Sequence, residues 1–138
     1  MSTYFDSSAI VKVLVAEEGS SVAVSLWSGG GEVVTSRLSY PEVRAALARA
    51  RRNRRLTDEG LAHSRRALVA MFARVGLIEL TGEIASRAGD IAERFEIRAG
   101  DAVHLASAIS ASPETVVATW DRRLARAARA AGLDTVGA

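Results

Sequence analysis

Four acidic side chains stand at positions from which they could act together. Asp6 and Asp121 each follow a short apolar run directly, and Glu42 and Asp101 each open a segment with helical spacing. Four carboxylates that face one small space repel one another unless a cation or protons occupy it. Carboxylate oxygens without cysteine or a well-placed histidine suit a hard ion, Mg²⁺ or Mn²⁺. Such an ion binds phosphate oxygens and activates water, which favours phosphodiester hydrolysis as the reaction.

Each of these acids also has a purely structural explanation. Asp6, Asp101 and Asp121 could each cap a helix N-terminus or respond to the helix dipole there. Residues 39–42 fit the capping box S-x-x-E, in which Glu42 would fold back onto the serine N–H. Spacing alone therefore leaves two explanations open, a metal site and a set of helix caps.

An alternation of strands and helices would position the acids. Apolar runs and spacings of three and four predict about four or five strands and about seven helices. The predicted strands are Thr3–Phe5, Glu32–Thr35, Leu77–Leu80, Thr115–Thr119 and an edge strand at Thr135–Val136. This alternation predicts a mostly parallel sheet that is covered on both faces. Such sheets bind ligands beyond the carboxyl ends of their strands, where the four acids would meet.

Length and composition are those of one globular domain over residues 1–138. Hydrophobic residues make up 49% of the chain and charged residues 25%. The absence of cysteine excludes disulfides and thiolate metal sites, and we expect a reducing cytoplasm as the location. No secretory signal and no run of about 18 apolar residues is evident, so no membrane span is expected. The net charge of +2 permits a nucleic-acid partner without arguing strongly for one.

The basic residues and histidines add two further interpretations. Five arginines lie near the end of one predicted helix, at positions 49, 51, 52, 54 and 55. They could complement the helix C-terminus, or they could contact phosphates of a nucleic acid. His104 lies one turn after Asp101 and is expected on the helix surface or partly buried rather than in catalysis. A metal-bound hydroxide is then the expected base.

Four segments around the acids resemble the PIN domains of VapC toxins. These segments occur in order and span nearly the whole chain: YFDSSAIVKVLVAEEGS, SRLSYPEVRAALAR, IRAGDAVHLASAI and VVATWDRRLARAARAAGL. The resemblance implies an α/β/α sandwich with a parallel sheet and an Mg²⁺- or Mn²⁺-dependent endoribonuclease activity. It also implies a small VapB-like antitoxin as partner, and assembly as a homodimer that forms a hetero-oligomer with that antitoxin.

The resemblance also assigns the site residues. The four motif acids fall on Asp6, Glu42, Asp101 and Asp121. Among these, Asp6 and Asp101 would hold the main ion, while the other two would bind through water or hold a second ion. Ser8 and Thr119 match small polar positions near the first and fourth acids, where they would orient ligands or metal-bound water.

Two other kinds of function are possible for such a chain. A HAD-type phosphatase needs Asp-x-Asp after its first strand, but the residue two positions after Asp6 is Ser8. A degenerate PIN fold could bind RNA or protein without catalysis. Retention of all four acids argues against that second alternative.

Overall fold

Five parallel strands and seven helices alternate along the computed structural model, which describes residues 2–138. The elements are β1 (Ser2–Phe5), α1 (Ser7–Leu14), α2 (Ser20–Ser28), β2 (Glu32–Ser36), α3 (Ser39–Arg52), α4 (Asp58–Phe72), β3 (Gly76–Ile78), α5 (Gly82–Phe95), α6 (Ala99–Ala111), β4 (Val116–Thr119), α7 (Arg122–Ala130) and β5 (Asp134–Gly137). Met1, the first residue of the predicted domain, lies outside the described residues. The predicted number and order of strands and helices are confirmed.

The sheet has the order β3-β2-β1-β4-β5, and every neighbouring pair is parallel. Strand β1 lies at the centre, where Thr3 pairs with Val33 on one side and with Val116 on the other. Because all strands run the same way, their carboxyl ends meet at one edge of the sheet. The segments that follow β1, β2 and β4 therefore approach one another there.

Helices cover both faces of the sheet, as alternating side chains on each strand require. Tyr4 and Val117 point into one core with α5, α6 and α7, while Phe5 and Ala118 point into a second core on the opposite face. Helices α1, α3 and α4 contribute Ile10, Leu47 and Leu68 to this second core. The result is the predicted α/β/α sandwich, in which both faces of the central strand are buried.

The third strand differs from its predicted bounds. It ends at Ile78, whereas the apolar pattern predicts a strand through Leu80. Leu80, which continues the apolar pattern, is half exposed and lies outside the sheet, and Glu79 accepts two hydrogen bonds from the exposed guanidinium of Arg37. None of the helices within residues 2–138 is long and apolar enough to cross a membrane.

Candidate active site

Asp6 follows β1 directly, and three donors hold its carboxylate. Oδ1 accepts hydrogen bonds from the backbone N–H of Ala9 at 2.9 Å and from the hydroxyl of Ser8 at 2.7 Å. Oδ2 accepts one from the hydroxyl of Thr119 at 2.5 Å. The bond from Ala9 makes Asp6 the N-cap of α1, yet the side chain also reaches the end of β4. Capping and membership of the acidic cluster are therefore compatible at this position.

The hydroxyls of Ser8 and Thr119 connect the exits of the two central strands. Each donates a hydrogen bond to Asp6 and accepts one from the backbone that follows β4. Ser8 Oγ accepts from the N–H of Trp120 at 2.9 Å, and Thr119 Oγ1 accepts from the N–H of Asp121 at 3.0 Å. Both hydroxyls thus fix Asp6 relative to Asp121.

Asp121 is the N-cap of α7. Its Oδ1 accepts hydrogen bonds from the N–H groups of Arg123 at 2.9 Å and Leu124 at 3.2 Å. Both bonds use one oxygen, and within residues 2–138 no donor is bonded to Oδ2. Asp121 can therefore cap its helix and still present an oxygen to a ligand.

Asp101 lies in the first turn of α6 and is not a helix cap. The N-cap position of this helix is occupied by Arg98, which makes no side-chain capping bond. Asp101 Oδ2 is buried and has no hydrogen-bond partner within residues 2–138. The Arg98 guanidinium lies 3.8 Å from that oxygen but is 74% exposed, so it offsets little of the charge. The capping explanation is wrong for this acid.

Electrostatic coupling joins Asp101 to its neighbours. Burial raises the pKa of the Asp101 carboxyl, and the charges of Asp121 and Asp6 raise it further, while Arg98 and His104 act in the opposite direction. Burial also raises the pKa of Asp6, although His104 and the Thr119 hydroxyl partly counteract this effect. Both acids are therefore costly to keep ionised in the folded chain.

Glu42 does not form the capping box that its sequence predicts. Helix α3 begins at Ser39, so this serine lies inside the helix, and its hydroxyl bonds the hydroxyl of Thr35 at 2.7 Å. The Glu42 carboxylate instead accepts a hydrogen bond from His104 Nε2 at 2.5 Å. Its second oxygen lies near Gly100, where an added Cβ would be 3.3 Å away. Glu42 therefore points toward the start of α6.

His104 is the residue of this region that the sequence interpretation misjudged. Only 2% of it is exposed, and its ring lies between Glu42 and the hydroxyl of Tyr4, which is 2.7 Å from Nδ1. A carboxylate only accepts, so Nε2 carries the proton and Nδ1 of the neutral ring accepts from Tyr4. The helical spacing from Asp101 places both residues on one helix face, but nothing in the sequence identifies the two distant partners.

The pKa of His104 reflects two opposing influences. Burial lowers the pKa of the imidazole, but the hydrogen bond that Nε2 donates to Glu42 and the charge of Asp6 outweigh burial, so the net shift is upward from 6.5. The positive form is stabilised because the histidine lies among carboxylates. The other histidine, His63, is exposed on α4, away from this network.

The oxygen donors of this edge fit a hard cation in their chemistry. Within residues 2–138, no three acidic or histidine side chains converge as a ready-made metal-binding group. Asp6 is bonded to hydroxyls and Glu42 to His104, so their oxygens are engaged as the side chains stand. The unpartnered Oδ2 of Asp101, buried and close to other acids, is the observation that fits a cation.

The arginine run is partly structural. Arg51 pairs with Asp58 at the start of α4, and Arg55 lies 3.5 Å from the carboxylate of Glu17. Arg54 has a positive φ of 61° in the turn between α3 and α4. Arg49 is exposed and forms no ion pair within the part of the chain that the structure describes.

The chain is an α/β/α-sandwich protein with carboxylates beyond the carboxyl ends of β1 and β4. The PIN domain family matches residues 3–130, and the chain belongs to this family. The chain is 50% identical over 130 residues to "Ribonuclease VapC45" of Mycobacterium tuberculosis (strain CDC 1551 / Oshkosh), covering 94% of this chain and 90% of that protein. "Ribonuclease VapC46" of strain ATCC 25618 / H37Rv is 33% identical over 134 residues, covering 96% of this chain and 95% of that protein.

Solved structures share the fold at lower identity. PAE2754 from Pyrobaculum aerophilum has a TM-score of 0.73 at 18% identity, covering 99% of this chain and 90% of that one. FitAcB from Neisseria gonorrhoeae has a TM-score of 0.69 at 21% identity, covering 98% and 96% of the two chains. These similarities confirm the predicted PIN-like architecture.

Proposed function

We propose that this chain is a divalent-metal-dependent endoribonuclease and that it acts at the acidic edge formed by Asp6, Glu42, Asp101 and Asp121. The observation that carries the proposal is the buried, unpartnered Oδ2 of Asp101 close to the charges of Asp121 and Asp6. A bound cation would supply the missing partner of Asp101 Oδ2 and would offset the repulsion among the carboxylates. The ribonuclease names of relatives that are 50% identical over 94% of this chain support RNA as the substrate.

Each residue of the acidic edge has a role that follows from its position. Asp6 and Asp101 would hold Mg²⁺ or Mn²⁺, and Asp121 and Glu42 would complete the set of oxygens. The bound ion supplies Lewis-acid chemistry, which polarises a phosphodiester and lowers the pKa of an attacking water. Ser8 and Thr119 orient Asp6 through hydrogen bonds of 2.7 and 2.5 Å. Rigid placement of these oxygens would hold the reacting groups in the correct orientation.

The histidine of the site positions an acid and does not exchange protons with substrate. Both nitrogens of His104 are engaged, one with Tyr4 and the other with Glu42, and the ring is buried. It cannot take a proton from an attacking water directly. His104 instead holds the carboxylate of Glu42 toward the start of α6, beside Asp101.

We also propose a small VapB-like antitoxin as partner, with a homodimer of this chain as the assembled form. An acidic edge offers a site for a basic side chain of that partner, which would pair with carboxylates in place of the cation. Coexpression with the short reading frame beside its gene, followed by purification through one tag, tests the pairing. Failure to copurify, together with harmless expression of this chain alone, would refute the toxin assignment.

Cleavage of RNA by the purified chain tests the enzyme. We expect cleavage with Mg²⁺ or Mn²⁺, none in excess EDTA, and a loss of at least two orders of magnitude in Asp6→Asn and Asp101→Asn. Asp90→Asn, at an exposed position of α5, is the matched control and should cleave normally. Full activity in EDTA or in both site variants would overturn the proposal. RNA binding without any cleavage would favour a binding module.

A further inference from the structure

A pocket with a basic rim lies between α1 and α3, directly beside the acidic edge. Its volume is about 290 Å³, and Ser8 and Trp120 form the wall nearest the acids. The N–H of Trp120 donates to Ser8 Oγ at 2.9 Å, and that hydroxyl donates to Asp6 at 2.7 Å. The pocket and the carboxylate cluster thus share one wall, so a molecule in the pocket lies next to whatever the acids bind.

The pocket is lined mainly by basic side chains, whereas the adjacent edge of the sheet is acidic. Lys12, Arg49 and Arg55 line it together with a single carboxylate, that of Glu17. Lys12 Nζ lies 3.2 Å from one oxygen of Glu17, and Arg55 lies 3.5 Å from the other. One carboxylate therefore offsets two of the cations only in part, and Arg49 has no acidic partner within residues 2–138. The rim favours an anion.

The interior of the pocket is apolar and includes an indole. Val11, Val15, Ala46 and Ala50 supply aliphatic wall. Trp120 is partly exposed, and one edge of its ring is held against Gly19, where an added Cβ would lie 2.6 Å from Nε1. Bases of single-stranded nucleic acid stack on such aromatic faces while cations nearby contact the backbone.

We propose that this pocket holds one nucleotide of single-stranded RNA, next to the phosphodiester that the acids cleave. The base lies against Trp120 and the aliphatic wall, and the phosphate contacts Arg49 with Lys12 and Arg55 nearby. The inference rests on the proposed function for the identity of the substrate. The pocket supplies RNA affinity that does not require the metal.

The observations favour a nucleotide over a side chain of a protein partner. An apolar wall alone would accept either occupant. An RNA strand is favoured by three features of the pocket. These are the three cations on the rim, the indole within it and the wall shared with the catalytic carboxylates. A cavity of about 290 Å³ also equals roughly ten water volumes, far more than a single phosphate needs.

Fluorescence of a single indole tests occupancy directly. The chain has two tryptophans, and Trp27→Phe leaves Trp120 as the reporter. Trp27 packs edge-on against the ring of Phe5, so phenylalanine preserves an aromatic contact there. We expect an RNA hexamer of mixed sequence, added in EDTA, to quench this fluorescence saturably. Binding without any change in Trp120 fluorescence would overturn the proposal.

Salt dependence of RNA binding tests the rim. Arg49→Ala should lower the slope of log affinity against log salt by about 0.7, the value for one phosphate contact on a single strand. Lys12→Ala should lower the slope by less, because Glu17 already offsets part of the Lys12 charge. Arg87→Ala removes the same charge from an exposed position of α5 on the opposite face of the sheet and should leave the slope unchanged. Trp120→Leu should weaken binding about five- to 150-fold through lost stacking. Equal slopes in Arg49→Ala, Lys12→Ala and Arg87→Ala would contradict the proposal.

The same measurements separate this inference from the enzyme assignment. Asp101→Asn should abolish cleavage in Mn²⁺ yet bind the hexamer in EDTA with full Trp120 quenching. Normal cleavage with no quenching would overturn the pocket and leave the enzyme intact. Quenching without cleavage would support the pocket and overturn the enzyme. If Arg49→Ala weakens copurification of a small protein partner but not RNA binding, the pocket is a protein interface and the proposal is wrong.

Discussion

Two asparagine substitutions in the acidic edge should change stability in opposite directions when no metal is bound. Asp101→Asn removes the charge of a carboxylate whose Oδ2 is buried without a partner and whose pKa is raised by burial and by Asp121. An unpaired buried polar atom costs about 1–3 kcal/mol. The amide of asparagine can donate to a neighbouring carboxylate, so we expect the free energy of unfolding to rise by about 1 kcal/mol. For a domain of this size that is roughly 3 °C in Tm.

Asp6→Asn should lower stability because both oxygens of the Asp6 carboxylate accept hydrogen bonds. Its Oδ2 accepts the hydroxyl proton of Thr119 at 2.5 Å, and that hydroxyl already accepts from the N–H of Asp121. An asparagine N–H₂ at this position faces a donor and leaves the Thr119 proton without an acceptor. Losing such a buried bond costs about 1–3 kcal/mol, which exceeds the relief from removing the charge. The net expectation is a fall of roughly 1 kcal/mol.

Thermal unfolding followed by circular dichroism, in EDTA and in Mn²⁺, measures both effects. Mn²⁺ at 100 times its Kd should stabilise the unsubstituted chain by about 2.7 kcal/mol, and both variants should lose most of that gain. Asp90→Asn, an exposed acid on α5, should behave like the unsubstituted chain. If Asp101→Asn destabilises the metal-free chain as much as Asp6→Asn does, the electrostatic account of Asp101 is refuted.

Three further predictions concern the hydrogen bonds around the acids and the effect of pH on the metal-free chain. His104→Leu should lower the free energy of unfolding by about 1–3 kcal/mol in urea titrations because Tyr4 and Glu42 lose their partner. His104→Gln keeps a donor for Glu42 and should therefore lower the free energy of unfolding by less. Thr119→Val should cost about 1–3 kcal/mol in the same assay while Thr119→Ser costs less, because serine keeps the hydroxyl that bonds Asp6. Because the pKa of Asp6 is raised in the folded chain, the free energy of unfolding increases as pH falls toward 3.8. Because the pKa of His104 is also raised, this residue contributes stability below pH 6.5, and that contribution is lost as pH rises through its pKa in the folded chain. Tm in EDTA should therefore be higher at about pH 6 than at about pH 8, and the reverse order would contradict the pKa directions.

Much of the fold could be predicted because its signals are local. Each strand is a short apolar run, and alternate residues such as Tyr4 and Phe5 fill cores on opposite faces of the sheet. Thr57 and Thr81 cap α4 and α5 by accepting hydrogen bonds from the backbone N–H groups three positions further on. The end of β3 could not be placed, because Leu80 continues the apolar pattern although the strand has ended at Ile78 and this leucine is half exposed.

The position of the acids at one edge of the sheet could be predicted, but their hydrogen-bond partners could not. Following each strand to its exit identifies Asp6 and Asp121 because parallel strands end at one edge. The partners of His104 could not be found this way. Tyr4 lies 100 positions away in sequence and Glu42 lies 62 away, so only the packing of α6 against β1 and α3 joins them. The local S-x-x-E pattern indicated a capping box, but a tertiary hydrogen bond prevailed.

Helix capping and the proposed metal site are compatible because the N-termini of four helices converge at this edge of the sheet. Asp6 and Asp121 are the N-caps of α1 and α7, while Glu42 and Asp101 lie in the first turns of α3 and α6. Each N-terminus stabilises a nearby negative charge by about 0.3–1 kcal/mol, so four of them offset part of the repulsion among the acids. The arrangement that makes each acid resemble a cap therefore reduces the electrostatic cost of bringing the four acids together. The repulsion that remains falls on Asp101, whose Oδ2 is the buried acidic oxygen without a partner within residues 2–138, and our proposal expects a cation to bind there.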